Sequence, residues 1–257
     1  MDSRPVAAVI LAAGKGKRMN SDLPKVLHQL GGKPIVEYVI DTAKKLGAQR
    51  IILIVGHKGN QTQESLEHLE VEFVVQEEQL GTGHAVLQTK ELLSDFDGDV
   101  LILYGDVPLL KADTLKRLLT EHRKRKVAAT VLTAVLDDPS HYGRIIRDEQ
   151  GMVQEIVEAK DASADQRDIK EINSGIFCFD RQALFSVAEK ITNHNQQGEY
   201  YLTDAIRLLR DKNLPVWGMV TNDPAETLGI NSQEELKKME RILHSRQSGQ
   251  KKALPQA

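Results

Sequence analysis

Three apolar runs constrain this chain more than any other feature: Val6-Ala7-Ala8-Val9-Ile10-Leu11, Ile51-Ile52-Leu53-Ile54-Val55 and Val100-Leu101-Ile102-Leu103-Tyr104. Each is apolar throughout instead of alternating, the pattern of a strand buried on both faces. Between the first two, positions 35, 36, 39, 40, 43 and 46 carry apolar side chains at helical spacing, with Pro34 opening the helix and Gly47 closing it. Gln61–Leu69 and Gly83–Leu93 also read as helices, and Val71–Val75 as a further strand. Strands separated by helices of this length predict an α/β fold: a mostly parallel sheet with helices on both faces. Ligands of such sheets bind outside the carboxyl ends of the strands, which directs attention to the loops after Leu11 and Tyr104.

The second half reads differently. Ala128–Val135, Arg144–Arg147, Val153–Val157 and Ile172–Phe179 are expected strands with shorter connections, punctuated by Asp137-Asp138-Pro139 and Glu149-Gln150-Gly151. They suggest a mixed-sheet portion. Leu202–Arg210 and Ser232–His244 read as helices, and the polar stretch from Ser245 to Ala257, with Gly249 and Pro255, as a frayed tail.

Composition excludes several classes. A net charge of −3 disfavours a general nucleic-acid binder. No stretch of about 20 apolar residues is present, so no membrane span is expected, and the cytoplasm is the default location. The single cysteine, Cys178, lies in an apolar run and reads as a buried structural thiol.

The loop after Leu11 is the sharpest chemical feature. Gly14 and Gly16 allow backbone N–H groups to approach an anion, and Lys15, Lys17, Arg18 and Lys25 add four cations. A polyphosphate needs that combination; a solvated basic turn is the bland alternative. The pattern is not a P-loop, and Met19 stands where the dinucleotide fingerprint requires its third small residue. Asp106, in Tyr104-Gly105-Asp106-Val107-Pro108, falls at the tip of a buried strand. It is placed either to hold magnesium together with substrate phosphates or to open a turn. Gln79-Leu80-Gly81-Thr82-Gly83-His84-Ala85 sets glycines between a strand and a helix, a shape able to frame a planar base. His84 reads as a satisfied helix-start histidine.

Leu11-Ala12-Ala13-Gly14-Lys15-Gly16-Lys17-Arg18-Met19 with Leu23-Pro24-Lys25-Val26-Leu27 resembles the signature of the sugar-phosphate nucleotidyltransferases. The later motifs are Gln79–Ala85, Tyr104–Leu109, Tyr142–Ile145, Ile156–Glu158, Glu171–Gly175, Gly198–Asp204 and Gly229–Asn231. In that order they resemble the pyrophosphorylase portion of the bacterial N-acetylglucosamine-1-phosphate uridylyltransferases. The resemblance implies a Rossmann-like nucleotidyltransferase domain over residues 1–231, then a C-terminal helix and tail over 232–257. It implies that Leu11, Ala12, Ala13, Gly14, Gln76, Gly81 and Thr82 hold uridine, and that Arg18 and Lys25 bind phosphate. It places Tyr104, Gly105, Gly143, Glu158, Asn173, Glu199 and Tyr200 around the sugar, and makes Asp106 and Asn231 the ligands of Mg²⁺. Nothing resembles the hexapeptide-repeat β-helix that carries an acetyltransferase in many members, so acetyl transfer is not expected.

The implied reaction joins UTP and N-acetylglucosamine 1-phosphate into UDP-N-acetylglucosamine and pyrophosphate, by in-line attack on the α-phosphorus. Arg18, Lys25 and Asp106 are the expected catalytic residues. The alternatives are a relative using another sugar, such as glucose 1-phosphate, a nicotinamide-binding dehydrogenase, which Met19 argues against, and a non-catalytic nucleotide-binding module. A homo-oligomer is left open.

Overall fold

The computed structural model describes residues 4–14, 16–56 and 58–252. Lys15, the side chain of Lys17 and Pro255, all invoked above, lie outside them. The strands are β1 (Val6–Leu11), β2 (Gln29–Leu30), β3 (Lys33–Pro34), β4 (Arg50–Val55), β5 (Glu72–Val75), β6 (Asp99–Tyr104), β7 (Ala129–Val135), β8 (Arg144–Arg147), β9 (Val153–Val157), β10 (Glu171–Asp180) and β11 (Val216–Val220). The helices are α1 (Ile35–Leu46), α2 (Gly59–Ser65), α3 (Thr82–Leu87), α4 (Ala112–Arg125), α5 (Ala164–Arg167), α6 (Arg181–Ala188), α7 (Asp204–Asp211) and α8 (Gln233–Lys252).

The apolar runs do what their composition demands. β1 lies at the heart of the sheet, parallel to β4 on one side and β6 on the other. Strand order is β11-β7-β10-β6-β1-β4-β5, and β10 alone on this path runs against its neighbours. The β8–β9 hairpin branches from β10 through the Ile172–Arg144 pairing, giving the mixed portion expected from the second half. Side chains of β1 alternate between two cores. Ala7 and Val9 join a cluster with Val86, Leu184 and Ile206, from α3, α6 and α7. Ala8 and Ile10 join another with Val36, Ile40, Leu115 and Leu118, from α1 and α4. Helices therefore cover both faces, and the Rossmann-like, mostly parallel mixed sheet is the observed fold.

Some boundaries differ from the sequence reading. The helix expected over 61–69 is α2, shifted to Gly59–Ser65 and entered from a left-handed Lys58. The helix expected over 83–93 ends at Leu87. There the Thr89 hydroxyl donates to the Val86 carbonyl at 2.7 Å, a local bond that competes with helix propagation, and turns follow. α8 continues to Lys252, past the point at Ser245 where a tail was expected. Its far turns are tied down by Arg246, which donates to Asp223 Oδ2 at 2.7 Å and to the Leu109 carbonyl at 3.3 Å. Gln, Lys and Arg in this stretch are good helix formers.

α8 is not an appendage. Leu236 and Met239 enter a third apolar cluster with Met19, Leu30, Ile35, Leu109 and Ile230. The helix thus packs on the loops that follow β1 and β6. Among the described residues no helix is long and apolar enough to cross a membrane.

Candidate functional site

A cavity of about 520 Å³ opens at the carboxyl ends of β1 and β6. Of the residues singled out from sequence, Leu11, Ala12, Ala13, Gly14, Lys25, Gln76, Gly81, Thr82, Tyr104, Asp106, Glu199 and Asn231 line it. A second hollow, of about 630 Å³, lies at the β11 edge by Trp217 and gathers none of the expected catalytic, nucleotide, sugar or metal residues; its Arg147 and Glu171 pair with each other at 2.6 Å.

One wall is the loop after β1. Gly16 takes φ +57° and a Cβ on it would lie 2.7 Å from Lys25 Cβ, so only glycine lets the two segments meet. Gly14 differs: its φ is ordinary, and a Cβ there would meet no described atom within 4 Å. Lys25 begins a 3-10 turn behind Pro24, which anchors its direction. Its ammonium pairs with Asp106 Oδ2 and donates to Asn231 Oδ1 at 3.2 Å. Both partners come from elsewhere in the chain. Asp106 follows β6 and is buried, and its carbonyl accepts the Ile230 N–H at 2.9 Å, which sets the Asn231 loop against it. Two side-chain oxygens therefore converge on one cationic atom.

The opposite wall carries the Gly81–Thr82 turn. Gly81 adopts φ +122°, and a Cβ on it would lie 2.5 Å from the Tyr200 carbonyl oxygen. Thr82 Oγ1 accepts the Leu202 N–H at 3.0 Å, and Tyr200 donates its N–H to the Leu80 carbonyl at 2.8 Å. The buried Gln76 side chain donates to the Gly81 carbonyl at 3.1 Å.

Gly143, Glu158 and Asn173 form an annex beyond Tyr104. Asn173 donates its N–H to the Gly143 carbonyl at 2.9 Å, and a Cβ on Gly143 would stand 3.5 Å from Glu158 Oε2. Burial pushes the Glu158 carboxyl up, and Asp161, Asp204 and Glu199 push it further, against a hydrogen bond from the Thr203 hydroxyl at 3.0 Å. Burial likewise raises the Tyr104 phenol, with Glu158 and Asp106 adding to it. Gly105 lies behind the wall, its N–H on the Leu11 carbonyl at 3.0 Å, and Tyr200 contributes its backbone. Arg18 is exposed on the 3-10 turn Lys17–Met19 and does not line the cavity.

Sequence reasoning assigned no role to Gln79, Tyr142, Ser232 or Glu235. Gln79 lines the cavity and donates to the Gln76 carbonyl at 2.9 Å. The Tyr142 hydroxyl engages the Gly229 backbone beside Asp106. Glu235 accepts the N–H groups of Asn231 and Ser232. Ser232-x-x-Glu235 is a capping-box spacing and was the available signal for the last two.

The fold and this site define a nucleoside-triphosphate transferase domain: residues 8–171 match the MobA-like NTP transferase domain, and the chain belongs to that family. Among individual proteins it is similar to the bifunctional protein GlmU of Brevibacillus brevis, 48% identical over 94% of this chain and 52% of that protein. The bifunctional protein GlmU of Bacillus velezensis is 49% identical over 96% of this chain and 53% of its own length. The chain thus spans about half the length of the curated relatives it matches. In three dimensions it resembles a UDP-glucose pyrophosphorylase complexed with UDP-glucose, with a TM-score of 0.73 over 94% of this chain and 99% of that one. At 16% identity that is a likeness of fold.

Proposed function

We propose that this chain is a uridylyltransferase that makes UDP-N-acetylglucosamine and pyrophosphate from UTP and N-acetylglucosamine 1-phosphate, with residues 1–231 as the catalytic unit. The observation that carries the reading is the Lys25–Asp106–Asn231 constellation, set between the β1 loop on one side and the Gly81–Thr82 turn on the other. It stands where the open α/β sheet binds ligands.

The residues fit a divalent cation. Asp106 Oδ2 and Asn231 Oδ1 already converge on a positive group, the Lys25 ammonium, and both are the hard oxygen donors magnesium prefers. Among the described residues no cluster of three or more His, Cys, Asp or Glu forms a metal cage, so phosphate oxygens and water would complete the shell. Mg²⁺ held by Asp106 and Asn231 would neutralise charge on the α-phosphate and on the departing pyrophosphate.

The remaining work falls to the chain's own groups. The backbone from Leu11 to Gly14 flanks the nucleotide, and Lys25 offsets negative charge as it develops, with Arg18, exposed on the neighbouring 3-10 turn, as the second cation. Gln76 and Gly81 face the base. Glu158 and Asn173 receive sugar hydroxyls beyond Tyr104. The attacking phosphate oxygen, with a second pKa of about 6, is ionised at neutral pH, so no protein base has to take a proton. Holding the two anions in line contributes on the order of 7 kcal/mol or more in a well-aligned site.

A pyrophosphate-release assay with UTP, Mg²⁺ and N-acetylglucosamine 1-phosphate, run beside glucose 1-phosphate, tests the reading. Preference for the amino-sugar is the expected result. Preference for glucose 1-phosphate would move the assignment to a related pyrophosphorylase, and UTP binding without release would make the chain a nucleotide-binding module.

A further inference from the structure

His84 has no place in the chemistry above, yet its ring touches a residue that faces the base. Gln76 is 3% exposed and its main chain is fixed at both ends: its N–H donates to the Val55 carbonyl at 2.8 Å and its carbonyl accepts from Gln79 Nε2 at 2.9 Å. Its side-chain amide nitrogen lies 3.1 Å from the Gly81 carbonyl and 3.0 Å from His84 Nδ1. The Gly81 carbonyl only accepts, so it settles which end of the amide points that way without reference to the histidine. The second amide hydrogen then falls on His84 Nδ1. That nitrogen must accept it, which puts the ring proton on Nε2. The Gln88 amide stands 3.1 Å from Nε2 and also reaches the His84 carbonyl. A neutral imidazole accepts at one nitrogen alone. Each of the two amides around it is also held by a carbonyl, Gln76 by that of Gly81 and Gln88 by that of His84, but Gln76 is buried, whereas half-exposed Gln88 can give its second hydrogen to water.

Both hydrogens of the Gln76 amide are therefore committed away from the cavity. What Gln76 has left to offer there is an acceptor, Oε1. Uracil carries an N–H at N3; cytosine carries a lone pair at the same position. We infer that His84 is a positioning residue for nucleobase selection, which by accepting the second amide hydrogen of Gln76 leaves only an acceptor for the base and so favours uracil over cytosine. The inference rests on the uridylyl reading and adds to it the group that occupies the second hydrogen of an amide whose orientation Gly81 sets. Without the imidazole the amide loses one of two restraints. It then gains a hydrogen with no protein partner, able to turn toward a cytosine N3. A site built to hydrogen-bond one edge discriminates strongly only while its own groups are held in place.

The test is kcat/KM for UTP and for CTP, with the same sugar phosphate, in wild type, His84→Ala, His84→Asn and His84→Gln. The UTP-to-CTP ratio is expected to fall about tenfold or more in His84→Ala, mainly through KM for UTP, with kcat at saturating UTP within about threefold of wild type. His84→Asn places an amide oxygen near the Nδ1 position and is expected to recover most of the ratio. His84→Gln reaches toward the Nε2 position and is expected to behave like alanine. An unchanged ratio in His84→Ala, or equal losses for both nucleotides, overturns the role. If His84→Ala does not fold, equal ratios in the Asn and Gln variants overturn it instead. A wild type that uses neither nucleotide overturns the uridylyl reading itself, whereas a wild type that prefers UTP beside an unchanged variant ratio overturns only the part played by His84.

Discussion

The backbone N–H of Asn231 donates to the Glu235 carboxylate at 2.5 Å, and the Ser232 N–H shares the same oxygen at 3.1 Å. The Ser232 hydroxyl accepts the Glu235 N–H at 3.2 Å. The first turn of α8 is thus a capping box whose acidic arm reaches one residue further back than the cap requires. That extra bond joins the helix start to the peptide that carries the Asn231 side chain, whose Oδ1 shares the Lys25 ammonium with Asp106.

The two halves of the box separate capping from positioning. Glu235→Ala and Ser232→Ala are each expected to cost about 1 kcal/mol of stability, as lost caps do. Only Glu235→Ala should raise the Mg²⁺ concentration for half-maximal pyrophosphate release, by several-fold, because it alone frees the Asn231 peptide. Glu235→Gln keeps an accepting oxygen and should restore the wild-type value. A Mg²⁺ titration of all three variants beside thermal melts decides it; matching Mg²⁺ curves for Ser232→Ala and Glu235→Ala would remove Asn231 from the argument.

Lys25 and Asp106 form an ion pair within the cleft, with the Lys25 side chain 15% exposed and that of Asp106 11%. The proposed function has each of them act on charge that appears in the transition state. Asp106→Asn and Lys25→Ala are each expected to lower kcat by about 100-fold or more, the scale of losing one preorganised charge contact. Asp106→Asn leaves the Lys25 ammonium without its carboxylate, so KM for UTP in that variant should move less than kcat. Near-normal turnover of both variants at saturating Mg²⁺ would show that the roles lie elsewhere.

How much of this was legible in the sequence depends on range. β1, β4 and β6 announce themselves because burial on both faces keeps their interiors apolar, the charged Arg50 and Asp99 standing only at strand starts, and α1 carries its own start and stop in Pro34 and Gly47. α4 escaped notice because Leu115, Leu118 and Leu119 form a thin apolar stripe among Lys, Arg, Glu and His. β11 escaped because Val216–Val220 is short and broken by Gly218. The site is another matter. Lys25 is 81 positions from Asp106 and 206 from Asn231, and no periodicity relates residues so far apart. Their assembly was accessible only through the ordered motifs of a family. The Gln76–His84 contact was not accessible at all, since it depends on which way an amide faces.

In the proposed role at the sugar, Glu158 sets binding against stability. In the unfolded chain its carboxyl ionises near its ordinary pKa of 4.5; in the folded protein burial raises it. Between these two values the native state binds more protons than the unfolded one, so this group makes stability fall as pH rises through that window. The penalty is complete above the raised value and absent below the unfolded one. Glu158→Gln keeps an oxygen for the Thr203 hydroxyl and removes the charge. It is expected to raise the melting temperature at pH 8, with the gain shrinking as pH approaches 4.5, while raising KM for the sugar phosphate. Melts from pH 4.5 to 8 check the first part, and a gain that does not vary with pH would show that the carboxylate carries no such penalty.

Two glycines on facing walls of the cavity make opposite demands, and their alanine variants should part company. Gly81 needs φ +122° and the Tyr200 backbone occupies the place of its Cβ, so Gly81→Ala forces the turn off the Tyr200 segment. Strain of this kind costs on the order of 1–3 kcal/mol, and both melting temperature and UTP affinity should fall. At Gly14 neither φ nor any described neighbour requires glycine. Gly14→Ala should therefore leave the melting temperature of the ligand-free protein unchanged. A methyl group there still intrudes where the backbone is to approach polyphosphate, so KM for UTP should rise about tenfold or more. Thermal melts with and without UTP read the difference directly: stabilisation by UTP should be lost in Gly14→Ala despite an unaltered apo melt. Full stabilisation by UTP in that variant would mean that the nucleotide does not lie against the loop after β1.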